Sequence, residues 1–222
     1  MSRLTRKWNL ITEKNPKSPI SEGYRMLRTN IEFSTINDKL KIIMVTSSKP
    51  SEGKSITCAN LAVTFAQANK RVLVIDADLR KPAQHHIFTI SNQKGLTTAL
   101  LGQKELQDVI QHTNTENLSV LAAGPTPPNP SELLSSNRME ALLEKVRETY
   151  DVIIIDTPSI MLVTDAQLVA SQSDGVVLVV DSGKIKKDAV LKAKAYLDHV
   201  NAKLIGVVLN NSSPKNLDSY YN

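Results

Sequence analysis

Short runs of consecutive apolar residues recur along the chain and predict buried β-strands. They cover residues 42–45, 72–75, 119–122, 152–155, 176–180 and 204–209. Strands that are apolar at every position, and not only at alternate positions, are typical of a parallel sheet covered on both faces. Between these runs lie helical patterns near residues 54–68, 95–101, 131–149, 164–171 and 186–200. This alternation predicts a doubly wound α/β fold, with right-handed crossovers and helices on both faces of a mainly parallel sheet.

The two ends of the chain differ from this pattern. Residues 18–34 have helical spacing with Ser21 as the expected cap, and the apolar stripe consists of Tyr24, Met26, Leu27 and Ile31. Residues 1–17 carry an excess of basic side chains and predict a solvated tail, with contact to an anionic membrane or an acidic partner as the alternative. Residues 213–222 have no apolar periodicity and predict a flexible tail, so the folded domain is expected to cover 18–212.

Composition excludes several classes of protein. A chain of 222 residues, 41% hydrophobic and 22% charged, suits one globular domain. The apolar runs are too short to cross a bilayer and no secretory signal opens the chain, which favours a cytoplasmic protein. The single cysteine, Cys58, excludes an intramolecular disulfide framework and is expected to be buried in a helix. The net charge of +5 does not indicate nucleic-acid binding, because no aromatic residues interleave with the basic ones.

The candidate chemistry begins with residues 48–55, which read SKPSEGKS. A phosphate-binding P-loop has the pattern G-x-x-x-x-G-K-[ST], and here Ser48 replaces the first glycine. A buried strand precedes the loop and a helix follows it, so backbone N–H groups and a helix N-terminus face one anion. Lys54 is then expected to reach the β- and γ-phosphates of a nucleotide, and the Ser55 hydroxyl to bind Mg²⁺. The expected nucleotide contacts are Ser48, Lys49, Pro50, Ser51, Glu52, Gly53, Lys54, Ser55 and Ile56.

Carboxylates follow two other predicted strands. The segment VIIID ends in Asp156, as a Walker B motif does, and the segment VLVIDADLRKP contains Asp76, Asp78 and Arg80. In an open α/β sheet, ligands bind at the carboxyl ends of the strands, so these side chains are expected to lie near the P-loop. One aspartate together with Ser55 is enough to hold a metal ion. An additional aspartate therefore predicts a general base, which accepts a proton from an incoming hydroxyl group.

In combination, these motifs resemble those of bacterial tyrosine kinases of the capsule and exopolysaccharide type, in particular the separate cytoplasmic catalytic chain. The resemblance covers nearly the whole sequence. It depends on SKPSEGKS, VLVIDADLRKP (the Walker A′ segment), GPTPPNPSELL, VIIIDTPSIMLVTDAQ, and an E-x-x-R-x-x-R motif within residues 18–35 that consists of Glu22, Arg25 and Arg28. It implies a P-loop fold related to that of partitioning ATPases, and phosphorylation of protein tyrosines that requires ATP and Mg²⁺.

The resemblance also implies a role for each site residue. Lys54 stabilises the transferring phosphate, and Asp76 activates the tyrosine hydroxyl. The Mg²⁺ ligands, direct or through water, are Ser55, Asp78 and Asp156. Arg80 is a structural or phosphate-side cation. In these roles, catalysis is mainly positioning and neutralisation of charge.

Substrates and assembly follow from the same resemblance. It implies phosphorylation of Tyr220 and Tyr221 in the tail of a neighbouring subunit, although the tails of the family normally carry more tyrosines. Glu22, Arg25 and Arg28 share part of a helical face, and in the family they form contacts between subunits of a ring; internal ion pairing is the alternative. The implied partners are a cognate tyrosine phosphatase and the cytoplasmic segment of a transmembrane modulator, which recruits the kinase to the inner face of the membrane.

Two other functions remain open from the residues alone. Lys49 stands where partitioning or positioning ATPases, which switch oligomerisation with ATP, have a signature lysine; their loops are rich in glycine, whereas Pro50 and Ser51 follow here. The third possibility is a nucleotide-binding regulator without catalysis. His85 and His86 are adjacent and have no further ligand at suitable spacing, so they do not predict a metal site.

Overall fold

The computed structural model describes residues 10–34 and 40–212, and its centre is a seven-stranded sheet. The strands are β1 (Ile42–Ser47), β2 (Val72–Asp76), β3 (Ile110–His112), β4 (Leu118–Leu121), β5 (Val152–Asp156), β6 (Gly175–Asp181) and β7 (Leu204–Asn210). Their order in the sheet is β3-β4-β2-β5-β1-β6-β7, and all neighbours are parallel except β3 and β4. The predicted mainly parallel sheet is confirmed, and every predicted strand is present.

Helices cover both faces of this sheet. They are α1 (Ile11–Lys14), α2 (Pro19–Phe33), α3 (Lys54–Gln67), α4 (Gln84–Ile87), α5 (Leu96–Leu100), α6 (Leu106–Val109), α7 (Pro130–Leu134), α8 (Asn137–Thr149), α9 (Asp165–Ala170) and α10 (Lys187–His199). Alternate strand residues contribute to two separate cores, one with the apolar side chains of α3 and the other with those of α5, α8, α9 and α10. The doubly wound α/β fold is therefore confirmed.

Three local predictions differ from the structure. The single helix predicted over 131–149 is two helices, because the side chain of Ser136 accepts a hydrogen bond from the backbone N–H of Met139 and starts α8 afresh. The edge strand β3 was not predicted, since its residues are polar enough to read as a loop. The very short helices α4 and α6 were also not predicted, because four residues carry no periodic signal.

The N-terminal region packs more closely than its composition predicts. Ser18, and not Ser21, caps α2, because the Ser18 hydroxyl accepts the backbone N–H of Ser21. The buried Ser21 hydroxyl lies within hydrogen-bonding distance of the backbone oxygens of Ile11 (3.1 Å) and Asn15 (2.7 Å) and ties α2 to α1. Thr12 is buried as well, in contact with α3. Part of the segment predicted as a solvated tail, from residue 10 onwards, thus belongs to the packed fold.

Two features bear on the expected surroundings of the protein. In the ranges 10–34 and 40–212, no helix is long and apolar enough to cross a membrane. Cys58 is a free, fully buried residue of α3, as predicted, and it contributes to the core between α3 and the sheet. The predicted C-terminal tail with Tyr220 and Tyr221 lies outside the described residues.

Candidate active site

The fold brings the carboxyl ends of β1, β2 and β5 together at one edge of the sheet. β5 lies between β1 and β2 and pairs with both in parallel. Asp76 and Asp156 are register partners at the ends of β2 and β5, and Val45 of β1 is the partner of Asp156 on the other side. The three sequence segments predicted to form a site therefore end next to one another, as expected for this class of sheet.

The P-loop lies between β1 and α3, and its backbone explains the altered glycine pattern. Ser48 is buried and is not among the described residues with positive φ, so the first glycine of the pattern is not needed here. The left-handed conformation falls instead on Ser51 (φ 67°) and Gly53 (φ 93°). A Cβ atom at Gly53 would also clash with the side-chain amide of Asn210 at the end of β7. The retained glycine is thus the one that the backbone and its neighbours require.

The buried side chain of Glu52 stabilises this loop through hydrogen bonds. Its Oε1 accepts hydrogen bonds from the Ser48 hydroxyl (2.6 Å) and from the backbone N–H of Lys49. Its Oε2 accepts the backbone N–H of Asp181 at the end of β6 (3.1 Å), and its side chain is buried. The Asn210 amide donates to the Glu52 carbonyl oxygen (2.9 Å). The sequence predicts Glu52 only as a nucleotide contact, whereas in the structure its carboxylate holds the loop to the end of β6 and its carbonyl oxygen accepts a hydrogen bond from the end of β7.

Lys54 lies among the carboxylates that the sequence predicts. Its Nζ is 3.0 Å from Oδ2 of Asp78, 3.5 Å from Oδ1 of Asp156 and 3.1 Å from Oγ of Ser55. Burial alone would lower the pKa of Lys54, but the charges of Asp156 and Asp78 outweigh burial and raise that pKa well above the usual lysine value. The ammonium group therefore stays charged, and the structure assembles these four predicted residues in one cluster.

Asp76 is the most enclosed carboxylate of the site. Its side chain is fully buried, and its Oδ2 accepts the backbone N–H groups of Ala83 and Gln84, both at 2.9 Å. Its Oδ1 accepts the backbone N–H of Asp78 at 3.3 Å. Burial, and then the charge of Asp156, raise the pKa of Asp76 to about 8, against the opposing effect of the two backbone hydrogen bonds. A carboxyl group with this pKa titrates near neutral pH, where a general base is most effective.

Gln84 is a residue of the site that the sequence does not predict. It is fully buried at the start of α4, and its Nε2 donates to Oδ2 of Asp156 (2.8 Å) and to the carbonyl oxygen of Ser55 (3.1 Å). A glutamine four residues after the Walker A′ arginine, Arg80, has no motif spacing that could indicate this position. Only the tertiary fold shows that it lies between α3 and β5.

Arg80 pairs with Asp165 at the start of α9. Its Nε is 2.8 Å from Oδ2 and its Nη2 is 3.0 Å from Oδ1 of that carboxylate, and Ser131 of α7 also donates to Oδ1 (2.7 Å). Burial raises a carboxyl pKa, but the hydrogen bonds from Arg80 and Ser131 outweigh it and lower the pKa of Asp165. The contacts of Arg80 thus connect the Walker A′ segment to α7 and α9.

The E-x-x-R-x-x-R motif of α2 makes contacts within the chain. Arg25 Nη1 lies 3.0 Å from Oε2 of Glu22, and Arg25 also donates to the carbonyl oxygen of Pro16. Arg28 donates to the carbonyl oxygen of Thr64 near the end of α3 (2.9 Å) and so holds α2 on α3.

The remaining candidate residues are placed as follows. Lys49 is exposed on the P-loop, next to the exposed Pro50. The rings of His85 and His86 lie 3.9 Å apart, and across residues 10–34 and 40–212 no group of three or more His, Cys, Asp or Glu side chains forms a metal cluster.

The cluster suits a divalent cation bound together with phosphate. Lys54, Asp78, Asp156 and a protonated Asp76 sum to a formal charge of −1, which becomes −2 when Asp76 ionises. Hard oxygen ligands with an excess of negative charge are what Mg²⁺ prefers, and Ser55 adds a hydroxyl 3.1 Å from Lys54 Nζ. The residues present therefore fit Mg²⁺ and a nucleotide phosphate.

Comparisons with known proteins show which family this chain resembles. A family profile described as AAA domain matches residues 40–205. Tyrosine-protein kinase YwqD of Bacillus subtilis (strain 168) is 48% identical over 209 residues, which cover 94% of this chain and 87% of that protein. The chain also resembles the crystal structure of the chimerical protein CapA2B2, with 46% identity, a TM-score of 0.89 and coverage of 91% of this chain and 89% of that one.

More distant structures share the fold. The kinase domain of Escherichia coli tyrosine kinase ETK is 35% identical with a TM-score of 0.88, and the match covers 96% of this chain and 86% of that one. The cell division ATPase MinD of Pyrococcus furiosus is 24% identical with a TM-score of 0.66 over 76% of this chain and 71% of that one, which shows a common fold alone. Because its relatives are similar over most of their length and its P-loop, Walker A′ and Walker B residues meet at one edge of the sheet, the chain belongs to the family of bacterial tyrosine kinases.

Proposed function

We propose that this protein transfers the γ-phosphate of ATP to tyrosine hydroxyl groups, first to Tyr220 and Tyr221 of a neighbouring copy and then to other proteins. The observation that carries the proposal is the contact of Lys54 with both Asp78 and Asp156 at the carboxyl edge of the sheet. The similarity to a named tyrosine-protein kinase supports tyrosine as the acceptor. Control of capsule or exopolysaccharide production is the cellular role that we infer.

The residues at this edge have separate parts in the proposed transfer. Lys54 leaves its carboxylate partners and binds the transferring phosphate, whose charge it stabilises. Ser55, Asp78 and Asp156 would hold a Mg²⁺ ion, which would neutralise negative charge on the phosphate. Asp76 accepts the proton of the tyrosine hydroxyl, and its raised pKa supports this assignment. Arg80 supports the site through Asp165, and the P-loop residues 48–56 contact the nucleotide.

Intact-mass measurements test the acceptor assignment. Incubation with Mg-ATP is expected to add whole phosphate groups to the chain, and a Tyr220→Phe/Tyr221→Phe variant is expected to stay at its original mass because the acceptor hydroxyls are gone. Tyr196→Phe is the matched control, since Tyr196 is an exposed tyrosine of α10 and its loss should leave the mass increase unchanged.

The same incubation separates the rival functions. ATP hydrolysis without any mass increase would favour the partitioning-type ATPase, whose fold the chain shares. If the protein binds nucleotide but shows no hydrolysis and no labelling, that result would favour a regulator without catalysis. Phosphate that remains on the doubly substituted tail would show that the tyrosine acceptors lie elsewhere.

Assembly into a ring is the second part of the proposal, and α2 supports it. The helix exposes three large apolar side chains, Ile20, Met26 and Phe33, each more than half accessible. Exposed apolar groups next to a charged motif are typical of a surface that contacts another subunit. The proposal also includes two partners. One is a transmembrane modulator, whose cytoplasmic segment recruits the kinase to the membrane, and the other is a cognate tyrosine phosphatase.

Arg25→Glu is expected to convert the oligomer to monomers, as measured by light scattering. Arg25 is the cleaner site for this test, because Arg28 also holds α2 on α3 through Thr64 and its reversal would loosen the fold itself. Lys192→Glu, an exposed charge reversal on α10, is the control and should leave the molar mass unchanged. An Arg25→Glu protein of unaltered oligomeric state would contradict the assigned interface.

A further inference from the structure

The side-chain amide of Gln84 has a fixed orientation in the site. Its two close partners, Oδ2 of Asp156 and the carbonyl oxygen of Ser55, are both acceptors, so the group that faces them must be the NH₂ group. Within the residues that the structure describes, the other amide atom, Oε1, is buried and has no hydrogen-bond partner. A buried polar atom without a partner is uncommon in a folded protein and requires an explanation, and here the atom lies beside the predicted cation-binding residues.

The backbone of the same residue contacts the third motif. The N–H group of Gln84 donates to Oδ2 of Asp76 at 2.9 Å. A single residue therefore contacts the P-loop helix through Ser55, the Walker A′ strand through Asp76 and the Walker B strand through Asp156. The two contacts of the side chain depend on the glutamine amide, whereas the backbone contact survives any substitution other than proline.

We propose that Gln84 is a positioning residue, which holds the Asp156 carboxylate in the orientation that binds Mg²⁺. The Gln84 amide donates a hydrogen bond to Oδ2 of Asp156, and Oδ1 of Asp156 faces Lys54 and the P-loop. This inference rests on the nucleotide site proposed above. Partners behind a metal-binding carboxylate restrict its rotation, and their loss typically lowers metal affinity or activity about 10- to 100-fold.

A neutral donor suits this position better than a charged one. A lysine or arginine at residue 84 would pair with Asp156 and compete with the divalent cation for it, and an ionised carboxylate cannot donate a hydrogen bond to Asp156 at all. An amide satisfies one carboxylate oxygen and leaves the charge of the cluster unchanged. The Oε1 atom, which lies on the same planar group, remains available as an acceptor beside the cation-binding residues.

A Mg²⁺ titration of nucleotide binding tests this inference without any phosphate transfer. The probe is a fluorescent ADP analogue, and the variant is Gln84→Met, which has a similar volume but no donor. The Mg²⁺ concentration at half-maximal binding is expected to rise about 10- to 100-fold, with binding in EDTA unchanged. His86→Gln, an exposed substitution on the same short helix, is the matched control and should bind as the wild type does.

A double-mutant cycle distinguishes positioning from a purely structural role. If Gln84 acts through Asp156, Gln84→Met in an Asp156→Asn background should cause little further change in the Mg²⁺ midpoint. A full additional loss in that background, or a wild-type midpoint in Gln84→Met alone, would overturn the inference. Should Gln84→Met fail to fold, Gln84→Asn, which keeps the amide but withdraws it by one methylene group, gives the same two readouts. Whether the wild type labels tyrosine has no influence on these results, so the two proposals fail separately.

Discussion

Lys54→Met is expected to abolish tyrosine phosphorylation and also to destabilise the chain. Loss of the cation that stabilises the transferring phosphate should lower the rate by about 10²- to 10³-fold or more. Because Lys54 also neutralises the buried Asp78 and Asp156, its removal leaves their charges uncompensated, at a cost of about 3 kcal/mol in the free energy of unfolding. Intact-mass labelling with Mg-ATP measures the first effect, and urea unfolding measures the second.

Lys192→Met is the matched control for this prediction. Lys192 is an exposed lysine of α10 outside the P-loop, so its replacement should change neither labelling nor the unfolding midpoint. A Lys54→Met protein that still phosphorylates tyrosine would refute the site assignment. Loss of ATP-dependent assembly in Lys49→Met would instead favour the partitioning-type function, in which a loop lysine acts on a partner.

Asp76→Asn is expected to remove phosphate transfer while making the nucleotide-free protein more stable at pH 8. The pKa of Asp76 is raised to about 8 in the fold, so the folded chain keeps a proton that the unfolded chain loses near pH 4. Stability should therefore fall as pH rises from about 4 to about 8. Asparagine resembles the neutral carboxyl group and still accepts the N–H groups of Ala83 and Gln84. The expected increase in Tm at pH 8 is about 5 °C.

The control variant, Asp151→Asn, is expected to change Tm at pH 8 in the opposite direction to Asp76→Asn. Hydrogen bonds from Arg71 lower the pKa of the partly exposed Asp151 to about 2, so Asp151 stabilises the fold above pH 4 and this contribution disappears as pH falls. Asp151→Asn should lower Tm slightly at pH 8 and leave phosphate transfer unchanged. Tm measured against pH for both variants shows whether their effects differ in sign. Transfer retained in Asp76→Asn would exclude Asp76 as the base.

The sequence predicts the sheet well because the pattern that indicates each strand lies within the strand itself. Strands buried on both faces are apolar throughout, and each carboxyl end carries its own motif, so the cluster around Lys54 follows from the topology of the fold. Gln84 and Glu52 have no such signal, since the contact of Gln84 with Asp156 and that of Glu52 with Asp181 join residues far apart in the chain and form only in the folded protein. The break at Ser136 was missed because the apolar spacing continues across it, and only the cap separates the two helices.

The position of Lys54 between Asp78 and Asp156 has a consequence for ligand selectivity. In this structure the side-chain ammonium group of Lys54 lies beside the two carboxylates, where a bound cation would otherwise balance their charge. If metal-free ATP binds, Lys54 moves to the phosphates, and the negative phosphates then lie beside carboxylates that no cation neutralises. Mg-ATP would bring a cation that replaces the Lys54 ammonium group. We therefore expect the site to bind Mg-ATP in preference to metal-free ATP, before any phosphate is transferred.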